Sequence, residues 1–195
     1  MTEKYWLIRG ARIIQQLDSF EEVLEEQSSL HKLQTNTFQF QPPTTKRQHA
    51  VDPVNIVKAE TIPYRPSRQL KVECIARSGE SGNTYHPILM FDDVEYFDED
   101  TNENVSFTGH DGEQHHVRPI SLSKNNVKVR CDCLDFYYRF AHYNNRDDSL
   151  YGKVPRPYVR KTTTRPPANV RQVPGVCKHL LAATKALIET GLFVN

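Results

Sequence analysis

Val127-Lys128-Val129-Arg130-Cys131-Asp132-Cys133 is the stretch on which this chain turns. Two valines alternate with basic residues, as on a strand with one buried face. On a strand, side chains at i and i+2 share a face, so Cys131 and Cys133 point one way together. A second pair, Cys177-Lys178-His179, lies beyond a 43-residue stretch, 134–176. Residues 177–190 read as a helix that stops at Gly191, a residue suited to the left-handed position after a helix end. Cys177 then falls at the helix start and His179 in its first turn, where the helix dipole favours a thiolate over a thiol. Three thiolates and one imidazole form the closed tetrahedral shell of a structural zinc ion, with no position left for a substrate. Closing the long loop costs about 3 kcal/mol in its length-dependent part. Structural zinc contributes on the order of 10 kcal/mol in small modules, so the ion wins. The bland alternative is two buried cysteines, an unrelated third and a surface histidine. Against it, three of the four cysteines of the chain fall in these two motifs. The expected ligands are Cys131, Cys133, Cys177 and His179, with Zn2+ as the cofactor.

Working outward, residues 70–130 carry the two-residue period of half-buried strands. Leu70, Val72, Cys74 and Ala76 alternate with polar neighbours, which makes Cys74 a core residue rather than a ligand. His86 to Phe91 and Val105 to Thr108 read as further short strands, and Asp111-Gly112 is a hairpin-turn signal. Residues 135–145 read as a helix. Residues 1–40 also read as helical: Ser19-Phe20-Glu21-Glu22 is a capping box, and Phe20, Val23 and Leu24 form one apolar stripe. Between them, Pro42, Pro43, Pro53, Pro63 and Pro66 break helix and sheet ladders alike, so 41–69 is expected to be a Pro-rich linker or arm. The expected fold is α+β. A helical segment (1–40) and the linker (41–69) precede an α+β domain (70–195), a small antiparallel sheet with a C-terminal zinc-bound ββα-like module at about 120–192 and an extended insertion at 146–174. No repeat of 20–50 residues is visible.

Composition narrows the setting. At 195 residues, with 37% hydrophobic residues and a mean hydropathy of -0.64, the chain buries a modest core and leaves much surface. No apolar run reaches the 18 residues a membrane helix needs. Met1 to Arg12 lacks the apolar region and cleavage site of a signal peptide. Secretion and membrane insertion are therefore not expected, and thiols in a reducing compartment are ligands or core residues rather than disulfides.

Cys-x-Cys followed later by Cys-x-His resembles the signature of SWIM-type zinc modules. The likeness extends to Phe136 just after the second cysteine and to Leu180-Leu181 after the histidine, and it covers about 120–192 with a longer spacer than is usual for the family. It implies a ligand role for each of the four residues. More narrowly, Asp135-Phe136-Tyr137-Tyr138-Arg139-Phe140-Ala141 and Pro174-Gly175-Val176-Cys177-Lys178-His179-Leu180, separated by a Pro-rich insertion, are similar to uncharacterised SWIM-type proteins of tailed bacteriophages. That likeness implies a virion component of the tail, baseplate, neck or capsid, in the particle or in the host cytoplasm.

Two charge runs stand out. Lys153, Arg156, Arg160, Lys161, Arg165 and Arg171 occur with no acidic residue between them, beside Tyr151 and Tyr158. They could neutralise phosphates of nucleic acid, lie on an acidic protein neighbour, or simply be solvated. Asp92, Asp93, Glu95, Asp98, Glu99, Asp100 and Glu103 form an acidic counterpart, read as a solvated or partner-facing loop. It is not an EF-hand, because Glu103 stands where the turn glycine belongs and Gly109 where the bidentate glutamate belongs. His110, His115 and His116 with Asp111 and Glu113 read as a surface hairpin, since His115 and His116 point to opposite faces.

Catalysis is not expected. The His-x-Glu and Pro-Cys-x-x-Cys pattern of zinc deaminases is absent, as is a phosphate-binding glycine loop. A Cys177–His179 nucleophilic pair would place i and i+2 on divergent helix faces. The sequence thus points to a zinc-stabilised structural and interaction protein whose partners are other subunits of an assembly or copies of itself, with no small-molecule substrate. A nucleic-acid-binding module is the second choice.

Overall fold

In the computed structural model, residues 28–39, 54–79, 81–156, 158–159, 164 and 167–194 are described. Helix α1 (Leu30–Phe38) opens at Ser29, whose hydroxyl accepts from the Lys32 backbone N–H. Its Leu30 and Leu33 are fully buried in the same core as the strands that follow. The capping box at Ser19 and the stripe around Phe20 lie outside the described residues.

The principal sheet is antiparallel, in the order β1 (Val54–Tyr64), β2 (Gln69–Ser78), β4 (Ile88–Phe91), β9 (Val127–Arg130), with β3 (Thr84–Tyr85) added along β2. The two-residue period holds along β2, where Leu70, Val72, Cys74 and Ala76 are buried and their neighbours are not. Leu89, Phe91, Val127 and Val129 continue the same buried face across β4 and β9. Burial also pushes the Cys74 thiol up to about 11, as for a core cysteine far from any stabilising charge.

β1 corrects the expectation for 41–69. Residues 54–64 are not a linker but an eleven-residue edge strand, paired with β2 from Val54↔Ser78 to Tyr64↔Gln69. Two features hide it in the sequence. A bulge between Ile56 and Lys58 breaks the alternation and turns Val57 outward, and Pro63 reads as a breaker although an edge strand tolerates it. Pro66 lies in the short 3-10 turn Arg65–Ser67 that leads to β2 through Arg68 in the left-handed region. Residues 40–53, with Pro42, Pro43 and Pro53, lie outside the described residues.

A second sheet, β5 (Tyr96–Phe97), β7 (Gln114–Val117) and β6 (Val105–Thr108), carries the hairpin turn at Gly112, whose φ of +82° needs a glycine. β8 (Ile120–Ser121) pairs in parallel with β10 (Phe193–Val194). The helix expected at 135–145 is two short ones, α2 (Leu134–Arg139) and α3 (Ala141–Arg146), broken at Phe140. Helix α4 (Lys178–Glu189) ends before Gly191 at φ +78°, the left-handed stop expected there. Phe136, Phe140, Leu180, Ala183 and Leu187 close the core with the sheet residues. Among the described residues, no helix is long and apolar enough to cross a membrane.

Candidate metal centre

Strand β9 ends at Arg130, and the chain runs through Cys131 to Cys133, whose backbone is extended, before α2 begins. The alternation puts both sulfurs inside and Asp132 outside. There Asp132 accepts from the His86 backbone N–H at 2.9 Å and meets His86 Nδ1 at 2.7 Å, pinning the turn to the segment between β3 and β4. Cys133 is the N-cap of α2, and its Sγ accepts from the Phe136 N–H at 3.3 Å. Cys177 is the N-cap of α4, with extended backbone. Both sulfurs therefore sit at the positive ends of helices.

A further set of contacts brings Cys177 back across the long loop, and none of it is visible as a motif. Buried Asn144 clamps Gly175 from both sides, donating to its carbonyl at 3.1 Å and accepting from its N–H at 2.9 Å. The Thr37 hydroxyl of α1 accepts from the Val176 N–H at 2.8 Å. Gly175 fits because it has no side chain: a Cβ there would lie 2.6 Å from the Phe140 ring and 2.7 Å from Thr37 Oγ1. Asn169 steadies the same return by donating to the carbonyls of Arg139 and Val173.

The four donors converge. Sγ of Cys131, Cys133 and Cys177 and a ring nitrogen of His179 all lie within 4.8 Å of one another, and all four residues are buried. His179 presents Nδ1, at 3.7 Å from Cys131 Sγ and 3.9 Å from Cys177 Sγ. A tetrahedral zinc bound at ordinary lengths would separate sulfur from nitrogen by about 3.6 Å, so the cluster is close to the size an ion requires. The Tyr85 ring stacks on His179 at 4.0 Å and fixes the imidazole plane, while its Nε2 is buried without a partner among the described residues.

One expectation is corrected here. Cys177 and His179 do not diverge as i and i+2 of one helix, because Cys177 precedes the helix and its extended backbone swings Sγ toward the ring. Proton chemistry matches a metal pocket. The S–H groups of Cys131 and Cys177 hold the Cys133 thiol far below its usual range. Sharing that proton with Cys133 pushes Cys131 up, and burial pushes Cys177 up. Three buried sulfurs cannot all ionise beside one another without a cation.

These residues can hold a metal ion. No family model, no curated protein and no solved structure matches the chain.

The other predicted sites fall elsewhere. Lys153, Arg156 and Arg171 are exposed and are not among the four clustered donors, and Arg171 meets Gln39 at 2.6 Å. Arg160, Lys161 and Arg165 lie outside the described residues. The acidic run is not left without opposing charge: Arg118 pairs with Glu95 at 2.6 Å and reaches Glu103 at 3.8 Å, and Arg65 pairs with Asp98. Both guanidiniums also lie over rings of the same segment, Arg65 over Tyr96 and Arg118 over Phe97. In the hairpin, His115 and His116 do face opposite ways, but His115 is buried beneath Phe107 rather than on the surface. Its Nε2 lies 3.0 Å from Asp111, and Asp111, Glu113 and His115 form a second close group of potential ligands.

Proposed function

We propose that this protein is a zinc-stabilised, non-catalytic interaction protein, whose C-terminal half is locked by one ion while its exposed segments contact other proteins. The completeness of the donor set carries this reading. Four buried ligands, three of them sulfur, fill a tetrahedral shell, and a filled shell leaves no open position for a substrate or an activated water. Sulfur-rich tetrahedral sites also select zinc over the harder cations. Cys131, Cys133, Cys177 and His179 would hold the ion, which would join the end of β9 to the start of α4. The setting we favour, a subunit of a tailed-phage particle, rests on the resemblance of the 135–141 and 174–180 strings alone.

Elemental analysis of the purified chain is expected to give about one zinc per molecule, and Cys133→Ser is expected to abolish it. A chain that purifies without metal and melts at the same temperature before and after chelation sinks the metal reading. The phage setting is tested separately by mass spectrometry of purified particles. Absence of the chain from them removes the setting and leaves the metal centre standing.

A further inference from the structure

We propose that Leu134, Tyr138, Tyr158 and Val159, flanked by Lys153 and Arg156, form a docking surface for an acidic segment of another protein that inserts an apolar anchor. This deepens the interaction reading given above by naming its surface and the chemistry of its partner, and it rests on that reading.

Leu134 follows the ligand Cys133 directly, and Tyr138 lies four residues on, on the same face of α2. Both point outward, Leu134 at 68% exposure and Tyr138 at 44%. The insertion returns to this helix rather than leaving it. Tyr158, 52% exposed, brings its ring to 4.6 Å from that of Tyr138, and the adjacent Val159 is 78% exposed. Contiguous exposed apolar side chains of this kind mark partner sites on soluble proteins.

Backbone contacts hold the start of the insertion in place. Arg130 donates to the carbonyls of Tyr151 and Lys153, and the Tyr137 hydroxyl donates to the Arg156 carbonyl at 3.0 Å. With their carbonyls engaged, Lys153 and Arg156 keep exposed side chains that enter no ion pair with the described residues. A preformed apolar patch with a cationic rim suits a partner with the opposite arrangement, a hydrophobic anchor among carboxylates.

Two other occupants fit less well. Bases of a single strand need free aromatic ring faces to stack on, and edge-to-face pairing of the rings occupies such faces. Here Tyr137 and Tyr138 meet at 75°, and Tyr138 and Tyr158 at 67°, and much of the patch is aliphatic. A second copy would offer an acidic run in which Glu95, Asp98 and Glu103 are already paired with Arg118 and Arg65, leaving Asp92, Asp93, Glu99 and Asp100 to meet the rim, so a separate acidic chain is the better match.

The test is a selection of displayed random 12-residue peptides on the zinc-loaded full chain, followed by fluorescence anisotropy of the enriched peptides. A fluorescent 30-residue oligo-dT is titrated in parallel. Enrichment of Asp- and Glu-rich peptides around one aromatic or aliphatic residue is expected. Tyr138→Ala and Leu134→Ser should each weaken binding by about tenfold, Tyr138→Phe should retain it, and Lys153→Ala with Arg156→Ala should weaken it and flatten its salt dependence. Zinc content should stay at the parent value in all four variants, which separates loss of docking from loss of the metal centre. No acidic consensus, binding indifferent to Tyr138→Ala, or oligo-dT bound more tightly than any peptide would each overturn the proposal. So would tight self-association lost in Tyr138→Ala.

Discussion

Among the described residues, two groups of side chains bring a histidine against potential metal ligands, and they differ in burial and in what the donors meet without an ion. Cys131, Cys133, Cys177 and His179 are all buried, whereas in the hairpin group His115 is buried and Asp111 and Glu113 are exposed. An orphan nitrogen does not separate them, because each histidine leaves one ring nitrogen buried without a partner among the described residues. That costs about 1–3 kcal/mol in either place. The difference lies in what the donors do without an ion. His115 Nε2 already donates to Asp111, whose carboxyl is held below its usual range by that bond, and Glu113 is exposed to water. The three sulfurs meet one another, His179 Nδ1 and, for Cys133, the Phe136 N–H, with no fixed cation among them, and the pocket can ionise all three together only around one. Nearness makes a candidate; the lack of a better partner makes a site.

The largest way to break this contrast is Cys177→Ser. Zinc per chain should fall from one to none, and α4 should lose its anchor, for a loss of several kcal/mol or outright unfolding of the C-terminal third. Thermal melts followed by circular dichroism, together with elemental analysis, check it. In contrast, Glu113→Gln should leave metal content untouched, and a zinc stoichiometry of two falling to one in that variant would erase the distinction.

Acid is the next probe. Zinc binds thiolates, and the surroundings of Cys131 and Cys177 push both thiols up, so loading should expel protons and affinity should drop steeply as pH falls. The stability that zinc confers is present at and above neutral pH and is lost as pH falls. Competition with a chelating dye between pH 8 and 6 measures the slope, and a flat profile contradicts the proton assignment.

A smaller effect is expected from Gly175→Ala. The added methyl would meet Phe140 and Thr37 well inside contact distance, so the return loop must shift, at a cost of about 1–3 kcal/mol, with zinc bound more weakly but still at one per chain. Smallest is His115→Ala. Its Asp111 carboxyl, depressed by the histidine, contributes stability above the ordinary Asp range that is lost as pH falls through the lowered value. In the variant, its titration followed by NMR should move up toward the ordinary range, held back by the Glu113 backbone N–H that still donates to it, while metal content is unchanged.

Much of this architecture is legible in the sequence. The alternation along Leu70–Ala76 and Val127–Arg130 marks two strands of the principal sheet, Asp111-Gly112 marks the hairpin and Gly191 the helix stop, because each follows a local rule about period or backbone freedom. The four donors that the fold brings together are legible as two spaced pairs. What stays hidden depends on partners distant in sequence. The strand Val54–Tyr64 has a bulge and a proline, and only β2 beside it and the hairpin tip, where the His110 N–H reaches the Thr61 carbonyl at 2.8 Å, show why it is a strand. Arg65 and Arg118 pair with three carboxylates of an acidic run that looks unopposed in one dimension. The Asn144–Gly175–Thr37 clamp joins three segments with no shared motif; Pro174-Gly175 just before Cys177 is its one trace in the sequence.

The split metal pocket also sets a clock. A ribosome adding roughly 5–20 residues per second delivers Cys177 about 2–9 s after Cys133. During that interval β9 can be complete while its two thiols have no partners to close a shell, and the Asn144 side chain waits for Gly175. A nascent chain stalled between 133 and 177 would thus expose a two-thiol half-site, open to oxidants and scavenging metals. Arrival of the 175–179 segment converts that vulnerability into a knot of four ligands, so the helix α4 acts as the latch whose timing decides whether the newly made protein is finished or spoiled.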